Sequence, residues 1–163
     1  MKKLLIVLTV LLMTLSSGCK KETTYDTYTY KELSFKLPSN EKVEVDTSIG
    51  EGYDFVYDND NMVIFGISET KQSLAELGYE DISLKDYADL LIDLYEIDVI
   101  EKVVENNYVC FSYETGTSAD DYYYMVGVYE NNTNFWIINY CCLYNTKPVY
   151  SVLFKEWVKL VSC

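Results

Sequence analysis

The chain contains no histidine and no arginine. Without histidine there is no imidazole to act as the base of a nucleophile triad and none to ligate a transition metal, which removes most zinc and copper designs. Without arginine, thirteen lysines carry all the side-chain positive charge against 26 acidic residues. Nucleic acid, which is bound through cations on its phosphates, is excluded as a partner by that balance. Long apolar runs are scarce too. The run Leu4–Leu15 has twelve residues broken by Thr9 and Thr14, short of the roughly 20 that a spanning helix needs.

That run sits inside a recognisable leader. Lys2 and Lys3 precede it, the small residues Ser16, Ser17 and Gly18 follow, and Cys19 comes next. This is the layout of a secretory signal peptide. The stretch Leu15-Ser16-Ser17-Gly18-Cys19 resembles the lipobox of bacterial lipoproteins, in which the cysteine thiol takes a diacylglyceryl group and a dedicated peptidase cuts just before it. The resemblance implies a signal peptide over 1–18, lipidation at Cys19 with palmitate-type chains, and a place on the extracytoplasmic face of the cell membrane. Ser16-x-Gly18 also satisfies the small-x-small rule of ordinary secretion. Two acyl chains, at about 0.8 kcal/mol per buried CH₂, suffice for stable anchoring. Lys20–Tyr30 has no periodic apolar face and no Gly or Pro. We read residues 19–31 as lipidated cysteine and tether, with an extended reach of about 35–40 Å at most.

Residues 32–163 are expected to form a single domain, long enough for a real core. Loss of the two leader lysines takes the formal charge from −13 to −15. Such a body repels anionic lipid and favours a basic protein, a cell-wall component or a cation as partner. The Arg-free, Lys-, Asn-, Tyr- and Ile-rich usage suggests an AT-rich genome and, with the lipobox, a low-GC Gram-positive bacterium. Seventeen tyrosines admit two readings, an aromatic binding surface or simple strand propensity.

Along the body, Leu33, Phe35 and Leu37 alternate before Pro38, and Val43 and Val45 alternate again. Ser48–Gly52 reads as a loop. Tyr53–Tyr57 and Met62–Ser68 are strand-length runs joined by Asp58-Asn59-Asp60-Asn61, a hairpin signal. Ser73 with Glu76, and Ser83 with Asp86, fit capping boxes, and Gly78 fits a helix stop. Leu84, Tyr87, Ala88, Leu91, Leu94 and Tyr95 recur at helical spacing. Strands return at Val99–Glu105, Tyr108–Thr115, Ala119–Glu130 and Thr133–Leu143, with Asn106-Asn107 and Asn131-Asn132 as turns. The last two strands are apolar on both faces, so the sheet should be covered on both. After Pro148 a final helix carries Tyr150, Leu153, Phe154, Trp157, Val158 and Val161 on one stripe.

Four strands, helix, four strands, helix with hairpin connections predict an α+β fold, an antiparallel β-sheet with helices on both faces. The pattern resembles the PsbP/Mog-like family, an α/β/α sandwich that includes the photosystem II extrinsic protein PsbP, the Ran-binding Mog protein and many small bacterial lipoproteins. The resemblance rests on the opening strand ending in Leu37-Pro38, Ser83-Leu84-Lys85-Asp86-Tyr87-Ala88 at the start of the middle helix, Phe135-Trp136-Ile137-Ile138-Asn139-Tyr140, and Phe154-Lys155-Glu156-Trp157-Val158. These are packing features, and no site residue carries over with them.

Candidate chemistry is sparse. Besides Cys19 there are Cys110, Cys141, Cys142 and Cys163. The predicted meander sets Cys141 opposite about Tyr123 and Cys110 opposite about Met125, flanking one strand about 9–10 Å apart. That exceeds the ~7 Å a disulfide tolerates. Buried thiols acting as small hydrophobes lead, followed by one structural disulfide and then a reactive thiol. Asp58-Asn59-Asp60-Asn61 lacks the fifth and sixth ligands of a calcium loop. Ser39-x-x-Lys42 lacks the companions of the penicillin-binding motif. Gly50-Glu51-Gly52 is too short for a phosphate loop. Asp120 and Asp121 beside Tyr122, Tyr123 and Tyr124 form the candidate ligand surface for a cation or sugar. No catalytic residue, cofactor or metal site is indicated. The sequence therefore points first to a membrane-tethered, non-enzymatic binding or assembly module. An acidic inhibitor or immunity lipoprotein that captures a basic toxin or cell-wall hydrolase comes second, and a carboxylate-based hydrolase third.

Overall fold

The computed structural model describes residues 23–46 and 52–163. The expected leader, Cys19, Lys20–Glu22 and most of the Ser48–Gly52 loop lie outside the described residues. Five strands come first: β1 Tyr25–Tyr30, β2 Leu33–Pro38, β3 Glu44–Val45, β4 Phe55–Asn59 and β5 Met62–Thr70. Helices α1 Lys71–Glu76 and α2 Leu84–Leu94 follow, then β6 Glu101–Val104, β7 Val109–Glu114, β8 Tyr122–Glu130 and β9 Asn134–Leu143. Helix α3 Lys147–Trp157 and the short β10 Val161–Ser162 close the chain. A seven-stranded antiparallel sheet runs β3-β4-β5-β9-β8-β7-β6, and β1-β2-β10 form a second, three-stranded one.

The apolar alternation of β8 and β9 explains the layers. Tyr123, Met125, Tyr129, Trp136, Ile138 and Tyr140 face one way, while Val126, Val128 and Phe135 face the other. Each set has to be shielded from water. Leu74 of α1 and Leu84, Tyr87, Ala88 and Leu91 of α2 cover the second set. Tyr150, Phe154 and Trp157 of α3 cover the first, together with Leu33, Phe35 and Leu37 of β2. Helices thus lie on both faces of an antiparallel sheet. One face is shared between α3 and the small sheet.

The caps are local chemistry. Ser83 Oγ accepts from the backbone N–H of Asp86 at 3.1 Å and starts α2. Helix α1 begins three residues before the expected position, because Thr70 Oγ1 accepts from Ser73 N–H at 3.0 Å. Gly78, at φ +90°, ends it. The apolar stripe of α2 stops short of Leu94 and Tyr95, which are exposed. Glu96 takes φ +50°, and Ile97 N–H folds back onto Ile92 O at 3.0 Å. That is a Schellman-type ending, and Ile97 takes the place against the core that Leu94 and Tyr95 were expected to fill.

One expectation is corrected. Tyr25–Tyr30 is not tether but strand β1, paired residue by residue with β2 from Tyr25↔Pro38 to Tyr30↔Leu33. Tyr28 stacks on Phe35 at 5.5 Å, and Tyr30 packs on Phe55 at 5.4 Å and edge-on to Trp136 at 6.3 Å. Asp26, on the same side, meets Ser39 Oγ at 2.8 Å and the ammonium of Lys42. The Ser39-x-x-Lys42 spacing therefore clamps the first strand from an exposed turn.

Asp54 fastens the β1–β2 turn at Lys31 to the main sheet. Its Oδ2 accepts from Ser68 N–H and Ser68 Oγ, both at 2.6 Å. Its Oδ1 accepts from Tyr30 Oη at 3.3 Å and lies 3.5 Å from Lys31 Nζ. Burial works against the charged form, but the Ser68 hydrogen bonds and Lys31 outweigh it and hold the carboxyl below its usual value. A depressed folded-state pKa gives stability that is present above the unfolded value near 3.9 and lost as pH falls through the folded one. Urea midpoints of the wild type should therefore drop more between pH 5 and pH 2.5 than those of Asp54→Asn. Equal drops would remove Asp54 from the acid response.

Candidate functional site

The strand period separates the candidate ligand residues. Tyr123 points under α3 and is 2 % exposed. Tyr122 and Tyr124 lie on the opposite face, with Tyr122 43 % exposed. Tyr124 stacks on Tyr113 at 4.7 Å, the rings 3° from parallel. Burial pushes the hydroxyls of Tyr113 and Tyr123 up to about 12 and that of Tyr124 higher still. Asp121 is used by its own loop: its Oδ2 accepts from Ser118 N–H at 2.7 Å, and its carbonyl accepts from Tyr144 N–H at 2.7 Å. Asp120 is exposed in that loop. The five residues do not form one surface, because side chains two apart share a face and neighbours do not.

The cysteines follow the same rule, in a register shifted from the expected one. Cys141 lies opposite Tyr124, and Cys110 opposite Gly127. Cys110 and Cys142 belong to the α3-side core, while Cys141 shares the other face with Tyr124. All four described thiols are free, three buried and Cys163 exposed. Burial pushes Cys110 up, and Cys141 to about 11, which makes them poor nucleophiles. Among the described residues no three His, Cys, Asp or Glu side chains gather as a metal site. The Asp58–Asn61 segment is a hairpin turn, with Asn59 Oδ1 accepting from Asn61 N–H and Met62 N–H.

What the fold does assemble is a groove of about 570 Å³ at the far edge of the sheet. Helix α3 sits over β8 and β9, so the end of the same face, on β7 and β6, is left open beside it. Tyr108, Cys110 and Met125 make an apolar floor. Glu101, Val103 and Glu105 of the β6 segment form one wall, and Lys155, Glu156 and Lys159 at the end of α3 the other. Lys155 meets Glu101 at 2.5 Å across the groove, and Lys159 pairs with Glu156 at 2.8 Å. Lys102, on the other face of β6, pairs with Asp89 of α2. Val103 and Val104 are 45 % and 50 % exposed. Such a site can hold an apolar side chain between charged walls. The sequence marked Val99–Glu105 only as a strand. Valines at adjacent positions, which face opposite ways on a strand, were the one sign of it.

The solved structure of CyanoP, the cyanobacterial PsbP of Synechocystis sp. PCC 6803, superposes with a TM-score of 0.53 over 90 % of this chain and 96 % of that one, at 14 % identity. The fold is PsbP-like. The two-faced packing of the PsbP-like sheet is what the residues quoted for the resemblance supply. No protein-family model matches the chain, and no curated protein is significantly similar to it in sequence. Among the described residues of the PsbP-like domain, no helix is long and apolar enough to cross a membrane.

Proposed function

We propose that the protein is an extracytoplasmic lipoprotein, held at the membrane through Cys19, whose PsbP-like domain is a binding or assembly module rather than an enzyme. The observation that carries this reading is the groove: an apolar floor between charged walls, next to a sheet edge that is unpaired among the described residues. Its occupant is a basic protein. A body of formal charge −15 after the leader attracts such a partner and steers its approach. A basic toxin or cell-wall hydrolase as that partner would make the chain an inhibitor or immunity protein. The span from Cys19 to the start of β1 is six residues, at most about 20 Å, so the first strand would stand close to the bilayer.

The anchor is tested by mass spectrometry of membrane-held protein and by Cys19→Ser. A diacylated Cys19 and release of the variant into the medium are expected; an unmodified thiol on retained protein overturns the anchor. The binding role is tested with a photo-crosslinking residue at Val103. We expect one recurrent basic adduct that disappears at high salt. Adducts no different from those at Val152, on the outer face of α3, would sink the reading.

A further inference from the structure

We propose that the β6 edge receives an extended basic peptide strand, added antiparallel to the seven-stranded sheet, with an apolar side chain entering the groove between two cations. This rests on the binding-module reading and names how its partner is recognised.

The backbone supplies the first argument. Glu105 N–H donates to Tyr108 O at 2.9 Å and closes the β6–β7 hairpin. In an antiparallel ladder alternate residues direct their N–H and C=O to the same neighbour. Val103, opposite Cys110, therefore turns to β7 like Glu105, and Lys102 and Val104 turn to the open side. Ile100 N–H also donates to Ser112 O at 2.8 Å, while Glu101 is the residue paired with Ser112. Two residues against one is a bulge, which ends the ladder there. Among the described residues the free edge is thus short and defined: four backbone groups, on Lys102 and Val104. The opposite edge of the sheet, β3, has only two residues.

The side chains supply the second. On the groove face β6 presents Glu101, Val103 and Glu105. An incoming strand that bonds Lys102 and Val104 meets Val103 in a non-hydrogen-bonded pair, where side chains come closest. Its residues on that face then lie opposite Glu101, Val103 and Glu105, so complementarity asks for an apolar residue beside Val103, a cation opposite Glu105, and a second cation that competes with Lys155 for Glu101. The apolar residue sits beside Val103 and above Cys110 and Met125. A second copy of this chain is a poor occupant: self-pairing about Val103 sets Glu101 against Glu105 at both ends, between two bodies each of formal charge −15 after the leader.

The test uses the full chain in detergent micelles and a capped, fluorescein-labelled peptide, Thr-Lys-Thr-Val-Thr-Lys-Thr, with Thr-Glu-Thr-Val-Thr-Glu-Thr as its counterpart. Fluorescence anisotropy should show binding of the lysine peptide and at least tenfold weaker binding of the glutamate one. Hydrogen exchange should slow at the amides of Lys102 and Val104. Val104→Pro removes only an outward N–H, a change edge strands tolerate, and should weaken binding at least tenfold. Glu105→Lys should move preference toward the glutamate peptide, and it decides the matter if Val104→Pro does not fold. Absence of binding, unchanged affinity in both variants, or protection away from β6 overturns strand addition. A recurrent crosslinked partner at Val103 combined with unchanged affinity in both variants would leave the binding module standing and remove only this mode of recognition.

Discussion

Phe154→Ala is expected to destabilise the protein by about 3–5 kcal/mol, the usual cost of emptying a fully buried aromatic site. Phe154 is completely buried and is the hub of the α3 contact. Its ring lies 5.4 Å from those of Tyr150 and Trp157, 5.6 Å from Tyr140 and 6.4 Å from Tyr123. Four stiff rings cannot close around the void, so the cavity persists. Urea unfolding followed by tryptophan fluorescence reads the change, because Trp136 and Trp157 are both buried. The control is Val152→Ala on the exposed side of the same helix, which should stay within about 0.5 kcal/mol. A loss of less than about 1.5 kcal/mol for Phe154 would mean that α3 is not packed as described.

The second large effect concerns the first strand. A chain beginning at residue 31 should be less stable than one beginning at residue 23 by about 3–5 kcal/mol, on the order of 10 °C in Tm. Removal of β1 strips two half-buried tyrosines, each worth up to about 1.5–3 kcal/mol when fully covered, and leaves β2 with an unpaired edge. It also uncovers Phe35 and Tyr57, which Tyr28 meets at 5.5 and 5.4 Å. Were this stretch a tether, the two chains would melt together. Differential scanning calorimetry separates the two cases.

The difference between strand and tether shows what the residues made legible. β8 and β9 were readable because large apolar residues occupy both parities over ten positions, a pattern that only a doubly covered strand explains. Helix α2 was readable from Ser83 and Asp86, whose reciprocal bonds are local. β1 was not, because Tyr25-Asp26-Thr27-Tyr28-Thr29-Tyr30 has no aliphatic residue, and Asp26 stands on the inward side with Tyr28 and Tyr30. Its polarity is answered only by Ser39 and Lys42, partners that the strand alone does not reveal. The tyrosine triplet at 122–124 looked like one surface because it is contiguous, yet strand geometry sends its middle member into the core. The groove depends on where α3 stops covering the sheet, a matter of tertiary placement that no short motif encodes.

The pairing of β1 with β2 has a mechanical side. Tyr25 and Pro38 form the open end of the hairpin, and the turn at Lys31 and Glu32 its closed end. The body continues from Pro38, so a pull on the chain ahead of Tyr25 loads the hairpin at its mouth. Its bonds then give way in turn, as a zip opens, instead of resisting together in shear. The nine-pair ladder between β5 and β9 carries none of that load at first. The first strand is a built-in tear line: traction at the amino end would peel it away at low force and leave the seven-stranded sheet intact.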